Sequence, residues 1–165
     1  MNSTPRLSLP FLSAGQAQKE FTHNEALATL DVLVGGAVEA LPTPDAPLLP
    51  AVGTAFIVGD APTGAWTGKP QCIASYTDGG WRFIDPVEGM AVYVKATGTM
   101  AVFRTGAWDV GGVRASQLIV NGQQVVGTRK PGIASAAGGS TVDVEARAAI
   151  EAILDVLRGH GLIAA

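Results

Sequence analysis

The chain has 165 residues, of which 47% are apolar and 15% are charged, and its net charge is −3. This length suits one domain with a core plus an appendage, and the apolar content excludes disorder along the whole chain. The slightly acidic balance argues against nucleic acid as a partner, because nucleic-acid-binding proteins carry a basic stripe. No apolar run is long enough to span a membrane, and the broken apolar stretch at the N-terminus predicts no secretion signal.

A helix is predicted over residues 22–38, after an extended or irregular arm that covers residues 1–21. Thr22 and Glu25 have the spacing of a capping box, in which each side chain bonds a backbone amide at the start of a helix. Apolar residues then recur at helical intervals, and two glycines followed by Pro42 predict where the helix ends.

His23 raises a second interpretation of the helix start, because it lies between Glu20 and Glu25 and could belong to a metal or catalytic cluster. A zinc-binding helix of the HExxH type would need another His four residues further along, where this chain has Leu27. The capping box accounts for the polar residues without further ligands. We therefore interpret this segment as a helix start.

The middle of the chain is predicted to be rich in β-structure. Residues 41–51 contain four prolines, which predict a linker or a wrapped loop. From Gly53 to about Gly112, five short β-rich runs alternate with glycine turns, a pattern typical of antiparallel meanders. The runs are TAFIVG, QCIASY, WRFID, MAVYVKA and MAVFR. The intervening ATGT at 96–99 predicts a hairpin, and TGAW at 105–108 is interpreted as a further turn.

Three tryptophans follow glycine-containing turns in this region, namely Trp66, Trp81 and Trp108. A tryptophan in this position commonly covers the end of a small sheet, which is the interpretation that we favour. The alternative is that the three rings face outward together and form a platform on which sugars stack.

The C-terminal third is predicted to contain a hairpin, a linker and a helix. Asn121-Gly122 between two apolar runs is a strong hairpin signal, and the small residues of PGIASAAGGS predict a flexible linker. Ser140 or Thr141 could cap the helix that follows, which ends near Arg158. Apolar residues at four- and three-residue intervals fit a short coiled-coil seam: Val142, Ala146, Ala149, Ile153 and Val156. Because a lone helix of this length is marginal in water, it either folds back in cis or meets copies of itself.

Motifs for catalysis are absent from the sequence. TGAWTGKP at 63–70 lacks the first Gly and the final Ser or Thr of a phosphate-binding loop, and no G-x-S-x-G elbow exists. The acidic residues of the β region sit at turns, where Asp is common for backbone reasons; they are Asp78, Asp85, Glu88 and Asp109. The single Cys72 is expected to be a buried hydrophobe, and His160 a favourable charge at a helix end. We expect no catalytic, cofactor-binding or metal-binding residues and no enzyme activity, with a glycan hydrolase the remote alternative.

These elements predict an α+β fold with three parts. Residues 1–52 form the N-terminal arm, helix and proline-rich linker. Residues 53–130 form a small antiparallel β domain with GAW and GGW turns. Residues 131–165 form a flexible linker and an oligomerisation helix.

The stretch SLPFLSAGQAQKEFTHNEAL, with the helix, the prolines and the repeated GAW turns, resembles a family of unknown function that occurs in phage-like proteins. These include tail-fibre-like chains and gene transfer agents. The resemblance runs from Leu9 to Trp108, and AGQAQK…THNEAL is its specific signature. The segment after residue 119 resembles the terminal segment of phage fibre proteins, which carries a strand pair, a linker and an oligomerising helix.

The resemblance implies a structural virion role and, given the short chain, the base of a head spike on a gene transfer agent particle. The implied partners are a capsid vertex protein, a spike fibre protein and further copies of the chain, with indirect contact to capsular polysaccharide. The implied location is an extracellular virion-like particle assembled in the bacterial cytoplasm. A carbohydrate-binding module that uses exposed tryptophans is the alternative function. Because the signature over Gly15–Leu27 exceeds what capping needs, we also expect an assembly surface there, with the irregular N-terminus ordered only against a partner.

Overall fold

The computed structural model describes residues 3–13, 15 and 19–164, and its elements fall into two compact units. The N-terminal unit is Met1–Gly112 and the C-terminal unit is Val113–Ala165. The helices are α1 (Lys19–Val34) and α2 (Val144–Gly159). The strands are β1 (Ala37–Val38), β2 (Ala55–Ile57), β3 (Ile73–Thr77), β4 (Gly80–Ile84), β5 (Ala91–Val94), β6 (Thr99–Arg104), β7 (Ala107–Val110), β8 (Leu118–Val120) and β9 (Gln123–Val126).

The predicted α+β class is confirmed, because two helices flank strands that pair almost entirely antiparallel. In the N-terminal unit, one sheet has the strand order β1-β5-β6-β7 and the other has the order β2-β3-β4. The five predicted β-rich runs became β2 to β6. The single parallel pairing within these sheets joins β1 to β5, with Ala37 opposite Tyr93. The division into three parts at residues 52 and 130 stays a prediction, and the two compact units divide the chain after Gly112.

The boundaries of α1 differ from the prediction at both ends. The helix starts at Lys19, so Thr22 lies inside it and the predicted capping box is wrong. The Glu25 side chain does not return to the helix start and instead pairs with Arg82 on β4. The helix ends at Val34, and the chain turns through Gly36 into β1. A Cβ atom on Gly36 would lie 3.2 Å from the carbonyl oxygens of Leu33 and Ala91, so a side chain would crowd this turn.

A second correction concerns the TGAW segment at residues 105–108. It was interpreted as a turn, but only Thr105 and Gly106 turn, and Ala107 starts strand β7. Thr105 and Gly106 have φ values of 49° and 84°, the left-handed pair that a two-residue hairpin requires. Trp108 thus sits within a strand, opposite Phe103 of β6.

The main core of the N-terminal unit lies between the two sheets, with α1 contributing Val32. Alternate residues of β5 point inward, so that Val92 and Val94 are buried while Tyr93 is exposed. The other sheet supplies Ala55, Ile57 and Ile73 to the same cluster. Burial of these branched side chains is the principal stabilisation of the unit.

A second cluster covers the opposite face of the β2-β3-β4 sheet. Val58, Cys72 and Ala74 pack there around Trp66, which lies at the end of a short 3-10 turn (Gly64–Trp66). Ala46 of the proline-rich loop packs on the same cluster. This sheet is therefore covered on both sides, which explains why β3 starts with three consecutive buried residues.

The C-terminal unit contains the predicted hairpin and helix. Asn121 and Gly122 have φ values of 49° and 79°, which confirms the tight turn between β8 and β9. The described linker residues 131–139 contain no helix or strand. Helix α2 is capped by Asp143, whose Oδ1 accepts from the amide of Ala146 at 2.8 Å, so the predicted cap at Ser140 or Thr141 is wrong. Aspartate both caps and places a negative charge at the positive end of the helix dipole.

Candidate functional site

A buried carboxylate holds the N-terminal arm on helix α1. Asp31 is 1% exposed, and its Oδ1 accepts from the Thr4 hydroxyl and from the Leu7 amide, both at 2.6 Å. Its Oδ2 accepts from the amide of Arg6 at 3.0 Å. A buried carboxylate is tolerated only when hydrogen bonds replace its lost hydration, and here three donors do so.

The Arg6 side chain ties the same arm to the end of the helix. Its guanidinium donates to the carbonyl of Val32 at 3.1 Å and to the carbonyl of Ala37 in β1. Carbonyls at the end of a helix lack partners within the helix, and a guanidinium there is also favoured by the helix dipole. Arg6 and Asp31 together fasten residues 3–7 to the turn between α1 and β1.

Two residues of the THNEAL signature extend this anchorage. The Asn24 side chain accepts from the amide of Leu12 at 2.9 Å and donates to its carbonyl at 3.1 Å. The next residue, Glu25, forms the ion pair with Arg82. The expectation that the irregular N-terminus orders only against a partner is therefore wrong for residues 3–13, which are bonded in cis. Residues 14 and 16–18 of the signature lie outside the described residues.

A cleft of about 250 Å³ opens where the arm, α1 and the β3–β4 turn meet. Its walls include Ser3, Phe11, Asn24, Glu25, Asp78 and Arg82. Among the polar side chains of these walls, Glu25 and Arg82 pair with each other, and Asn24 bonds the backbone of Leu12. The cleft therefore lies at a packing contact between the arm and the sheet and is not a recognisable ligand site.

The arrangement of side chains around His23 does not support a metal or catalytic cluster there. His23 is exposed on α1, and Glu25 is engaged by Arg82. Among the described residues, no three His, Cys, Asp or Glu side chains are placed to hold a metal ion together.

The proposed platform of three tryptophans is wrong. Trp66 is fully buried, with its ring centroid 5.2 Å from that of Trp81. Trp108 packs on the main core and donates from Nε1 to the carbonyl of Gln71 at 2.8 Å. The rings thus belong to two different clusters and pack inward. Burial of the large apolar area of an aromatic ring stabilises the fold more than exposure of the ring at a turn does.

Two of the four acidic residues of the β region accept hydrogen bonds within the fold. Asp85 accepts from the Cys72 thiol at 3.1 Å, and Glu88 accepts from the amide of Thr105 at 2.8 Å. Asp78 lies exposed in the β3–β4 turn, and Asp109 is partly buried on β7. Burial and the bond to Asp85 raise the pKa of Cys72 to about 11, so this thiol stays protonated at neutral pH. Cys72 is buried, as predicted.

Among the described residues of the N-terminal unit, the proline-rich loop presents the most exposed large apolar side chains. Leu48 and Leu49 are 98% and 95% exposed, and they lie between Pro47 and Pro50. Phe21 in the signature is also largely exposed. Single exposed apolar residues are ordinary, whereas contiguous exposed apolar surface marks interaction sites, and Leu48 and Leu49 are adjacent and both exposed. The sequence predicted a linker or a wrapped loop here, and the PLLP stretch was not recognised as an interaction signal.

Asp31 and Arg6 were also missed at the sequence level. The available signal was Asp31 within the apolar run TLDVLV, since a carboxylate inside an apolar helix needs buried donors. No local signal identifies Thr4 and Arg6 as those donors.

Comparison with known proteins places most of the N-terminal unit, though not its N-terminal arm, in a family. The model of a family described as "Protein of unknown function (DUF2793)" matches residues 23–109. This match covers α1 from His23 onward, the proline-rich loop and both sheets of the N-terminal unit as far as Asp109 of β7. No curated protein matches the chain significantly. No helix in the described part of the chain is long and apolar enough to cross a membrane.

Proposed function

The chain belongs to this family of proteins of unknown function, whose model covers more than half of it, and we propose that it is a structural component of a phage-like particle. The proposed role is the base of a head spike on a gene transfer agent. In this role the chain attaches a spike fibre to a capsid vertex, and the assembled spike supports adhesion to polysaccharide on the recipient cell. The AGQAQK…THNEAL signature supports the assignment to such particles.

The observation that carries the proposal is the pair Leu48–Leu49 on the proline-rich loop. Exposure of a leucine side chain to water is less favourable than its burial by about 1.5–3 kcal/mol of free energy. A partner that covers Leu48 and Leu49 would gain this free energy for each side chain. The flanking prolines restrict the backbone, so little conformational entropy is lost when a partner binds. We assign this loop to the contact with the particle.

The alternative of a carbohydrate-binding module lacks its platform, because the three tryptophan rings pack in two separate clusters. Adhesion to polysaccharide is assigned to the assembled spike. The proposal includes no catalytic step.

The proposal predicts that the Leu48→Ser, Leu49→Ser double variant folds normally but is lost from particles. Both side chains are almost fully exposed, so the free energy of unfolding should change by less than about 0.5 kcal/mol. Particles purified from producing cells should contain the wild-type chain and lack the variant, as measured by immunoblot.

Val87→Ser is the matched control, since Val87 is an exposed apolar residue of the same unit at another loop. This control should enter particles at the wild-type level. Equal incorporation of the double variant and the control would remove the particle contact from the proline-rich loop.

A further inference from the structure

Strand β4 is an edge of the β2-β3-β4 sheet, and part of its backbone points away from that sheet. On the neighbouring strand β3, Tyr76 accepts from the amide of Gly53 at 2.8 Å and donates to the carbonyl of Thr54 at 2.9 Å, both on the β2 side. Trp81 of β4 lies directly opposite Tyr76. Because backbone groups alternate in direction along a strand, Trp81 directs its amide and carbonyl outward from the edge.

The same alternation applies two residues further along β4. Ala74 of β3 is paired with Phe56 of β2 and lies opposite Phe83, so Phe83 also directs its amide and carbonyl outward. Within the described part of the chain, no group bonds these four backbone groups of Trp81 and Phe83. The strand contains no proline, and its pairing with β3 has no bulge. Two features that commonly protect an exposed edge are therefore missing from β4.

Space for an added strand lies beside this edge. A cleft of about 290 Å³ lies between α1 and β4, and its walls include Ala28, Thr29 and Val32 of the helix and residues 81–84 of the strand. Ala28 and Thr29 are small, so the helix side of the cleft leaves room for a backbone with short side chains. An extended chain here would lie about 4.8 Å from β4, the ordinary spacing of paired strands.

Trp81 connects this edge to the proline-rich loop. A second cleft, of about 570 Å³, has walls that include Pro47, Leu48, Tyr76 and Trp81. Trp81 is thus a wall of both clefts, and a strand added to β4 would pass its ring on the way to Leu48. The β4 edge is therefore continuous with the loop that we assign to the particle contact.

A second copy of β4 fits this edge poorly. In the antiparallel register that joins all four outward groups of each copy, Trp81 pairs with Phe83 and the two Arg82 residues stand opposite each other. Like charges in directly opposite positions destabilise a sheet, and each copy would also bring its own α1 to the same edge. The edge fits instead an extended segment of a different polypeptide, with a short side chain towards α1 and an apolar one towards the cleft of Leu48.

We propose that β4 accepts an extended segment of a particle protein as an additional strand, through the outward amides and carbonyls of Trp81 and Phe83. In such strand addition, main-chain hydrogen bonds hold the segment and neighbouring clefts select its side chains. This inference rests on the proposed function for the source of the partner. It goes further by naming the backbone groups of the contact and the conformation of the partner segment.

The test is hydrogen exchange of the full chain, alone and bound to particles isolated from cells that lack this chain. The amides of Trp81 and Phe83 should exchange rapidly in the free chain and at least about tenfold more slowly on particles, because pairing protects an amide. The amides of Arg82 and Ile84, which face β3, should exchange slowly in both samples and are the internal control. Mass spectrometry with electron-transfer fragmentation resolves the individual amides.

Phe83→Pro tests the backbone contact separately, because proline removes the outward amide and leaves the hydrogen bonds between β4 and β3 in place. Phe83→Val is the matched variant, since it also loses the ring but keeps the amide. Phe83→Pro should bind the same particles at least about tenfold more weakly than Phe83→Val, as measured by co-sedimentation. Circular dichroism checks that both variants fold. If Phe83→Pro does not fold, the exchange of the wild-type amides decides the test.

Rapid exchange of the Trp81 and Phe83 amides in the particle-bound chain would overturn this inference and leave the proposed function standing. Equal binding of the two Phe83 variants would do the same. Slow exchange in the free chain that is lost on dilution would assign the edge to a second copy, which also overturns the inference. If the wild-type chain does not bind particles at all, the proposed function fails and this inference fails with it.

Discussion

At the scale of single residues, the informative side chain is Asp31. It is almost fully buried and receives three hydrogen bonds from the N-terminal arm. By contrast, the exposed ion pair of Glu25 with Arg82 contributes little, since solvent screens such pairs. The arm is thus held chiefly by the buried carboxylate and by Arg6 on the carbonyls of Val32 and Ala37.

We predict that Asp31→Ala destabilises the N-terminal unit by about 3 kcal/mol, because it leaves one hydroxyl and two amides without their acceptor. Urea unfolding of the full chain measures this loss. Hydrogen exchange should also show the amides of Arg6 and Leu7 becoming faster. Asp78→Ala, at an exposed turn, is the control and should be neutral. Slow exchange at both amides in Asp31→Ala would show that something else holds the arm.

At the scale of elements, the helix ends show which local signals were decisive. Asp143 caps α2 in place of Ser140 or Thr141. The Glu25 side chain does not cap α1, as was expected, but forms an ion pair with Arg82, which is distant in the sequence.

Within α2, hydrogen bonds from Arg158 and Ser135 lower the pKa of Glu151 below its ordinary value. Glu151 thereby contributes to the order of the linker and helix together.

The pH dependence of α2 follows from the sign of this shift. A carboxylate with a lowered pKa in the folded state stabilises that state above its unfolded pKa, near 4.3, and the contribution disappears as pH falls through the folded value. We therefore expect the helical signal of α2 to weaken modestly below about pH 4.5, as measured by circular dichroism. In Glu151→Gln this step should be smaller. An identical acid profile for both chains would exclude Glu151 as its source.

At the scale of the whole molecule, the two units differ in how they satisfy their apolar surface. The N-terminal unit buries branched and aromatic side chains in two clusters on its sheets. The C-terminal unit buries two hydrophobic residues among those described. Its stability should therefore depend on association, and association follows mass action.

We predict two thermal transitions with different responses to protein concentration. The transition of the C-terminal unit should move to higher temperature as concentration rises, because dilution favours separated copies. The transition of the N-terminal unit should stay constant. Scanning calorimetry over a hundredfold range of concentration measures both, and Ile153→Asp should lose only the first. A single thermal transition whose temperature does not change with protein concentration would contradict this expectation.

Much of the fold was predictable because its signals are local. The turn at Asn121-Gly122 and the alternation along β5 depend on neighbouring residues, whose backbone angles and side-chain directions are set within a few positions. Strand β1 could not be predicted, because two residues form a strand only when β5 is beside them. The proposed tryptophan platform failed for the same reason, since a sequence does not show which face of a strand is covered.

The sequence by itself therefore determined the class of the fold, strands β2 to β6 in their order, the turn at Asn121-Gly122 and the apolar spacing of α2. Only the tertiary structure decided that Asp31 holds the arm, that the three tryptophans pack inward and that the linker covers the charged side of α2. The reason is that turn angles and periodicity arise from adjacent residues. The partner of a buried carboxylate, an aromatic ring or a guanidinium depends instead on which distant segments meet.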